Sequence, residues 1–257
     1  MKILKYVLPL VLLISLVISG CGKKAEADGY SDSEFKKSLV SGLEKRWDYI
    51  DKENNTDTKE AYKKETQMEL DAVSEYRNKK FKNEKLQQLA VTYVNNLNDF
   101  KKILKYYGSE EFNDKWDDAQ TSRRKTLSEI NKISKLEVDS QYKNDWDQVL
   151  GSGRAAADKD SKKNKIDALI ASIKFTAEPK DYDDSDYTTY YATVENNTGF
   201  EIKSFSADVK VKNAEGVAVD HSSINAENWG KNEKVKMDFM TDKQMDSYEV
   251  KASFIDY

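Results

Sequence analysis

The one histidine of the chain, His221, follows Asp220 and precedes Ser222 and Ser223. A carboxylate, an imidazole and a hydroxyl are the parts of a nucleophilic triad, and any His-dependent triad here would have to use His221. Adjacency in sequence does not build a triad, because successive side chains on a strand point to opposite faces. His221 therefore reads as an exposed strand-end residue. The one cysteine, Cys21, closes an apolar run near the start of the chain. A single Cys excludes an intramolecular disulfide framework and a Cys-cluster zinc site. The sharpest polar cluster is Asp181-Tyr182-Asp183-Asp184-Ser185-Asp186. Oxygen ligands at alternate positions can wrap a hard cation such as calcium. The EF-hand loop needs Gly at its sixth position and Glu at its twelfth, where this chain has Asp186 and Ala192, so the cluster reads as a solvated acidic loop. Paired carboxylates could hydrolyse glycosides, but 46 Asp and Glu make such pairs commonplace. There is no G-x-S-x-G, no H-E-x-x-H and no P-loop. No residue is assigned to catalysis, to a cofactor or to a metal, and the chain is read as non-enzymatic.

Cys21 has a different chemistry in view. Lys2 and Lys5 form a positive start, and Tyr6 to Ile18 is an apolar run broken only by Pro9 and Ser15. That run falls short of the ~20 residues that span a hydrocarbon core and suits the core of an export signal. It ends in Ile18-Ser19-Gly20-Cys21, which resembles a bacterial lipobox. The resemblance implies a Cys21 thiol linked to diacylglycerol, a signal peptide of residues 1–20 that is cleaved off, and a protein held on the extracytoplasmic face of the cell membrane. Two or three acyl chains suffice for stable anchoring. Residues 21–32 read as a flexible tether, whose Gly22–Gly29 stretch can reach up to ~30 Å. Lys outnumbers Arg by 37 to 5, a composition associated with AT-rich genomes and low-GC Gram-positive sources.

The elements that follow change period halfway. Over residues 33–150 the apolar spacing is helical. Ser33 is a candidate N-cap for a stripe of Phe35, Leu39, Leu43, Trp47 and Ile50. Thr58 can cap a second helix, whose inward candidates are Tyr62, Leu70, Val73 and Tyr76. The third carries Leu86, Ala90, Tyr93, Leu97, Phe100, Leu104 and Tyr107, spaced alternately by four and three, and Gly108 ends it. A fourth carries Phe112, Trp116, Ala119, Leu127, Ile130 and Ile133. A short fifth carries Tyr142, Trp146 and Leu150. Short connections predict an antiparallel bundle. Gly151-Ser152-Gly153 reads as the domain boundary, and residues 151–172 as a partly helical linker.

Over residues 173–257 the period is two. Strands are expected at 173–177, 187–195, 202–212, 217–223, 234–239 and 248–255, separated by turn chemistry such as Asn196-Asn197-Thr198-Gly199. The fold class expected is α+β, an N-terminal helical bundle followed by a small antiparallel β-sandwich. Residues 22–179 carry a formal charge of +1 and residues 180–257 one of −7. Neither half has the basic excess of a nucleic-acid binder, so no nucleic-acid partner is expected. Tyr187, Tyr190 and Tyr191 share one predicted strand, with Tyr190 facing opposite to the other two.

The C-terminal third resembles the FxLYD domain, an immunoglobulin-like sandwich frequent in Gram-positive surface lipoproteins. The resemblance rests on the Asn-rich turn after Glu195 and on Val209-Lys210-Val211-Lys212-Asn213-Ala214-Glu215-Gly216, aligned on the glycine. Lys212 stands where the family has Tyr, and Asn213 where it has Asp. The segment around Gly42-Leu43-Glu44-Lys45-Arg46-Trp47 is similar to helical regions of other Gram-positive lipoproteins. These resemblances imply a non-catalytic envelope lipoprotein that binds an unknown envelope or secreted protein. The alternative is an extracytoplasmic small-ligand-binding or protein-export accessory lipoprotein, since a bundle can hold a ligand between its helices.

Overall fold

A computed structural model describes residues 29–53, 56–179 and 186–257. Cys21 and Asp181 to Ser185 lie outside the described residues. The architecture is α+β, as the change of period indicates. Among the described residues five helices come first: α1 (Asp32–Lys52), α2 (Lys59–Val73), α3 (Glu84–Ile103), α4 (Glu111–Ile133) and α5 (Lys143–Ala171). Six described strands follow: β1 (Thr176–Ala177), β2 (Thr188–Glu195), β3 (Ile202–Lys212), β4 (Ala218–Trp229), β5 (Lys234–Thr241) and β6 (Ser247–Asp256). They form two antiparallel sheets, ordered β1-β2-β5 and β4-β3-β6. Among the described residues no helix is long and apolar enough to cross a membrane.

Helix ends follow local chemistry. The Thr58 hydroxyl accepts the Ala61 N–H and caps α2. α1 starts one residue before Ser33, and its first residue, Asp32, serves another helix. The Asp32 carboxylate accepts the N–H groups of Lys82 and Asn83, at the mouth of α3. Gly108, at φ +84°, follows α3 and its short 3-10 turn. Tyr107 lies beyond the helix and is partly exposed, with its hydroxyl donating to the Asp57 carbonyl at 3.0 Å. Ile133, expected on the inward stripe of α4, is also partly exposed, at the helix end.

Gly151-Ser152-Gly153 does not interrupt the backbone helix: α5 runs unbroken through it for 29 residues. The glycine serves approach between helices: a Cβ on Gly153 would lie 2.2 Å from the Arg124 carbonyl of α4. The first half of α5 packs Trp146, Val149 and Leu150 into the bundle core. Its last turn places Leu169 in the sandwich core, together with Ile173 just beyond. Residues 151–172 are therefore a shared strut between two cores, and Ile173 is a core plug at the helix end rather than the start of β1.

The sandwich core alternates as period two demands: Phe205, Ala207, Val209 and Val211 from β3, and Ala192 and Val194 from β2, point inward. β4 continues six residues past its expected end because Ile224 and Ala226 keep the alternation, with Asn225 and Glu227 outside. Asn196 is fully buried, and its amide donates to the carbonyls of Phe200 and Trp229, pinning the β2–β3 turn to the β4–β5 turn.

The reading of α5 predicts opposite effects for two nearby glycines. Gly153→Ala forces backbone apart and should cost about 1–3 kcal/mol. Gly151→Ala meets nothing within 4 Å and should stabilise by up to about 1 kcal/mol through helix propensity. Urea unfolding of both variants checks this; a flexible linker would leave both neutral.

Candidate functional site

Four helices converge on one carboxylate. Glu65 and Glu69 lie one turn apart on α2, so they share a face. Arg46 of α1 bridges them, with Nη2 donating to Glu65 Oε2 at 2.9 Å and Nη1 to Glu69 Oε1 at 2.9 Å. Arg123 of α4 grips Glu69 with two bonds, Nε to Oε2 at 2.8 Å and Nη2 to Oε1 at 2.6 Å. The Tyr93 hydroxyl of α3 donates to Glu69 Oε2 as well. Glu69 is 1% exposed and Arg123 3%. Two guanidinium charges cancel two carboxylates, which is the condition for burying them. Close approach of α1 to α2 makes the bridge possible: a Cβ on Gly42 would lie 2.9 Å from Ala72 Cβ and 3.3 Å from Glu69 Cα.

The two carboxylates differ electrostatically. Burial alone would raise Glu69, but Arg123 and Arg46 with their hydrogen bonds hold its pKa below the ordinary value of 4.5. Burial pushes Glu65 up, outweighing its pair with Arg46.

A small cleft of about 290 Å³ opens onto this cluster. Trp47, Tyr62 and Trp116 line it, with the Tyr62 and Trp116 ring centroids 4.5 Å apart. The Tyr62 hydroxyl donates to Asp57 at 2.9 Å, and its pKa is pushed up to about 12 by burial and by that bond. Arg124 also lines the cleft, and burial, then Arg123 and Arg46, lower its pKa. The cleft thus combines aromatic walls, a neutralised ionic floor, the Arg124 guanidinium and the carboxylates of Asp57 and Asp145. That suits holding a small polar molecule; an arginine is a poor proton donor or acceptor.

The residues singled out by sequence fall elsewhere. His221 is exposed on β4, four residues into the strand. Asp220 does not orient its ring in the bonds seen here: one carboxylate oxygen accepts the His221 backbone N–H and the other the Thr241 hydroxyl. Tyr190 points inward and stacks on Phe239 at 5.6 Å, whereas Tyr191 carries the Lys236 ammonium 4.4 Å above its ring. Among the described residues no group of three His, Cys, Asp or Glu is placed to hold a metal. Comparison with protein-family models, with curated proteins and with solved structures returned no match.

The ionic cluster was the part sequence reasoning missed, although a signal was present. The inward stripe of α2 skips from Tyr62 to Leu70, and that of α4 from Ala119 to Leu127. Glu65, Glu69 and Arg123 occupy those inward gaps.

Glu69→Gln leaves two guanidinium groups facing one carboxylate. It should cost about 3–5 kcal/mol at neutral pH. Because the folded pKa of Glu69 is lowered, its contribution is complete above about pH 4.5 and is lost as pH falls through the folded value. The gap between wild type and variant should therefore shrink on acidification, measured by urea unfolding at pH 7 and pH 3.

Proposed function

We propose that the protein is a lipid-anchored, non-catalytic binding or structural module of the cell envelope, tethered through Cys21 to the extracytoplasmic face of the membrane. The observation that carries this reading is the Lys2–Cys21 segment, a positive start, an apolar run of signal-peptide length and a lipobox-like end. The build beyond the tether is consistent with it. The buried charges saturate one another, which makes the cluster a clamp and leaves recognition to surfaces. The partner in this reading is an unknown envelope or secreted protein.

The FxLYD-like reading of the sandwich gains support from the turn after β3. Asn213 Oδ1 accepts the N–H groups of Glu215 and Val217 at 3.1 and 3.0 Å, a role open equally to the Asp of that family. Lys212, in the Tyr position, pairs with Glu249 at 2.7 Å across to β6.

A second reading, a receptor for a small polar ligand, is favoured by the aromatic cleft beside Arg124. A thermal-shift screen of anions, sugars and amino acids tests it; Arg124→Ala should abolish any shift that depends on the cleft.

The anchoring is tested with Cys21→Ser in cells. The wild type should fractionate with membranes and incorporate labelled fatty acid. The variant should do neither, and a variant still held in the membrane fraction by an acyl label would overturn the assignment. Crosslinking of the full-length protein in cells then reports whether a protein partner is captured reproducibly.

A further inference from the structure

A second concavity lies between the last turns of α5 and strand β6, with a volume of about 880 Å³. Its floor is aliphatic: Ile166, Ile170 and Ile173 from the helix side, and Val250, Ala252 and Ile255 from the strand. Val250, Ala252 and Ile255 point to the core side of β6 yet remain half-buried, because α5 covers that strand only in part. The floor side chains offer a ligand no hydrogen bonds. Among the described residues no buried side-chain nitrogen or oxygen lacks a partner. The Tyr248 hydroxyl at one end already donates to the Ile173 carbonyl at 3.1 Å.

The rim is different. Lys159, Lys163 and Lys174 stand at the opening, against one carboxylate, Asp167, which pairs with Lys163 at 2.6 Å. This is a local excess of +2 on a chain whose formal charge is −4. The interior therefore favours apolar matter, and the mouth favours negative charge. Tyr248 and Tyr257 also line the groove, but their rings already pack against Phe175 and Phe200, so the free floor is Ile and Val and suits a flexible chain better than a planar ring. We propose that this groove binds one long-chain anionic amphiphile, an acyl chain seated against Ile170, Val250 and Ile255 with its anionic head among the rim lysines. The inference does not depend on the anchoring of Cys21.

The probe is oleate, kept below its micelle concentration and titrated calorimetrically into the purified full-length protein. One oleate per chain should bind with a dissociation constant on the order of 10 µM, a scale set by the modest free energy per atom of flexible ligands. Dodecyltrimethylammonium should bind at least tenfold more weakly. Lys159→Glu combined with Lys174→Glu changes only exposed side chains and should weaken oleate at least tenfold. Ala252→Trp fills the groove and should abolish binding with the fold intact by circular dichroism. Absence of heat with oleate would overturn the proposal. So would equal affinity for the cationic chain, or undiminished binding in both variants. Retention on phosphatidylglycerol vesicles without uptake of monomeric oleate would replace it with a membrane-surface contact.

Discussion

The Glu69 carboxylate is the point on which the bundle turns. A buried anion with several donors cannot slide, because any shift of register strands a charge in an apolar interior. Arg46, Tyr93 and Arg123 arrive from three different helices. Apolar stripes of the kind seen on α1, α3 and α4 would pack in more than one register. The cluster selects one, at some cost in desolvation, and the rest of the helical core is arranged around that choice. Gly42 is part of the same device, since it lets α1 come near enough for Arg46 to reach both glutamates.

The second constraint is that α5 belongs to two cores at once. Trp146, Val149 and Leu150 are buried with the other helices, and Leu169 is buried with the strands. Between them the helix stays close to α4 through Gly153 and an ion pair of Lys125 with Asp160. Lys162 then lies 5.1 Å from the Tyr257 ring and 5.7 Å from that of Phe200, so long cationic side chains brace the strut against the sandwich. The helical and strand regions share a hydrophobic element, and the cleft of the bundle and the groove at β6 lie along it.

Much of the fold was legible in the sequence because its periods are clean. β3 spans the residues 202–212 that its alternation predicts, and Thr58 and Gly108 punctuate helices as their chemistry implies. Failures came where one residue type serves two purposes. Gly-Ser-Gly reads as a hinge when nothing is known of its neighbours; here the missing side chain admits a backbone carbonyl from α4. Polar residues in the inward gaps of α2 and α4 read as surface, because complementarity between Glu69 and Arg123, 54 positions apart, is invisible to local pattern. The candidate site was illegible for the same reason: its charges are paired across helices, and only the paired state makes them tolerable inside. Cys21 is the opposite case, a site read wholly from local sequence, and it lies outside the described residues.

A continuous α5 also fixes something that composition does not show. Each residue of an α-helix advances about 100° and 1.5 Å. One residue gained or lost between Gly153 and Ile166 would swing the sandwich by more than a quarter-turn around the bundle. Lys162 would then face away from Phe200 and Tyr257, and Leu169 from its core. Most side chains in this interval are at the surface and free to drift. Their number is not: the stretch can vary in content over evolutionary time while acting as a counted spacer, whose length sets the direction in which the sandwich faces.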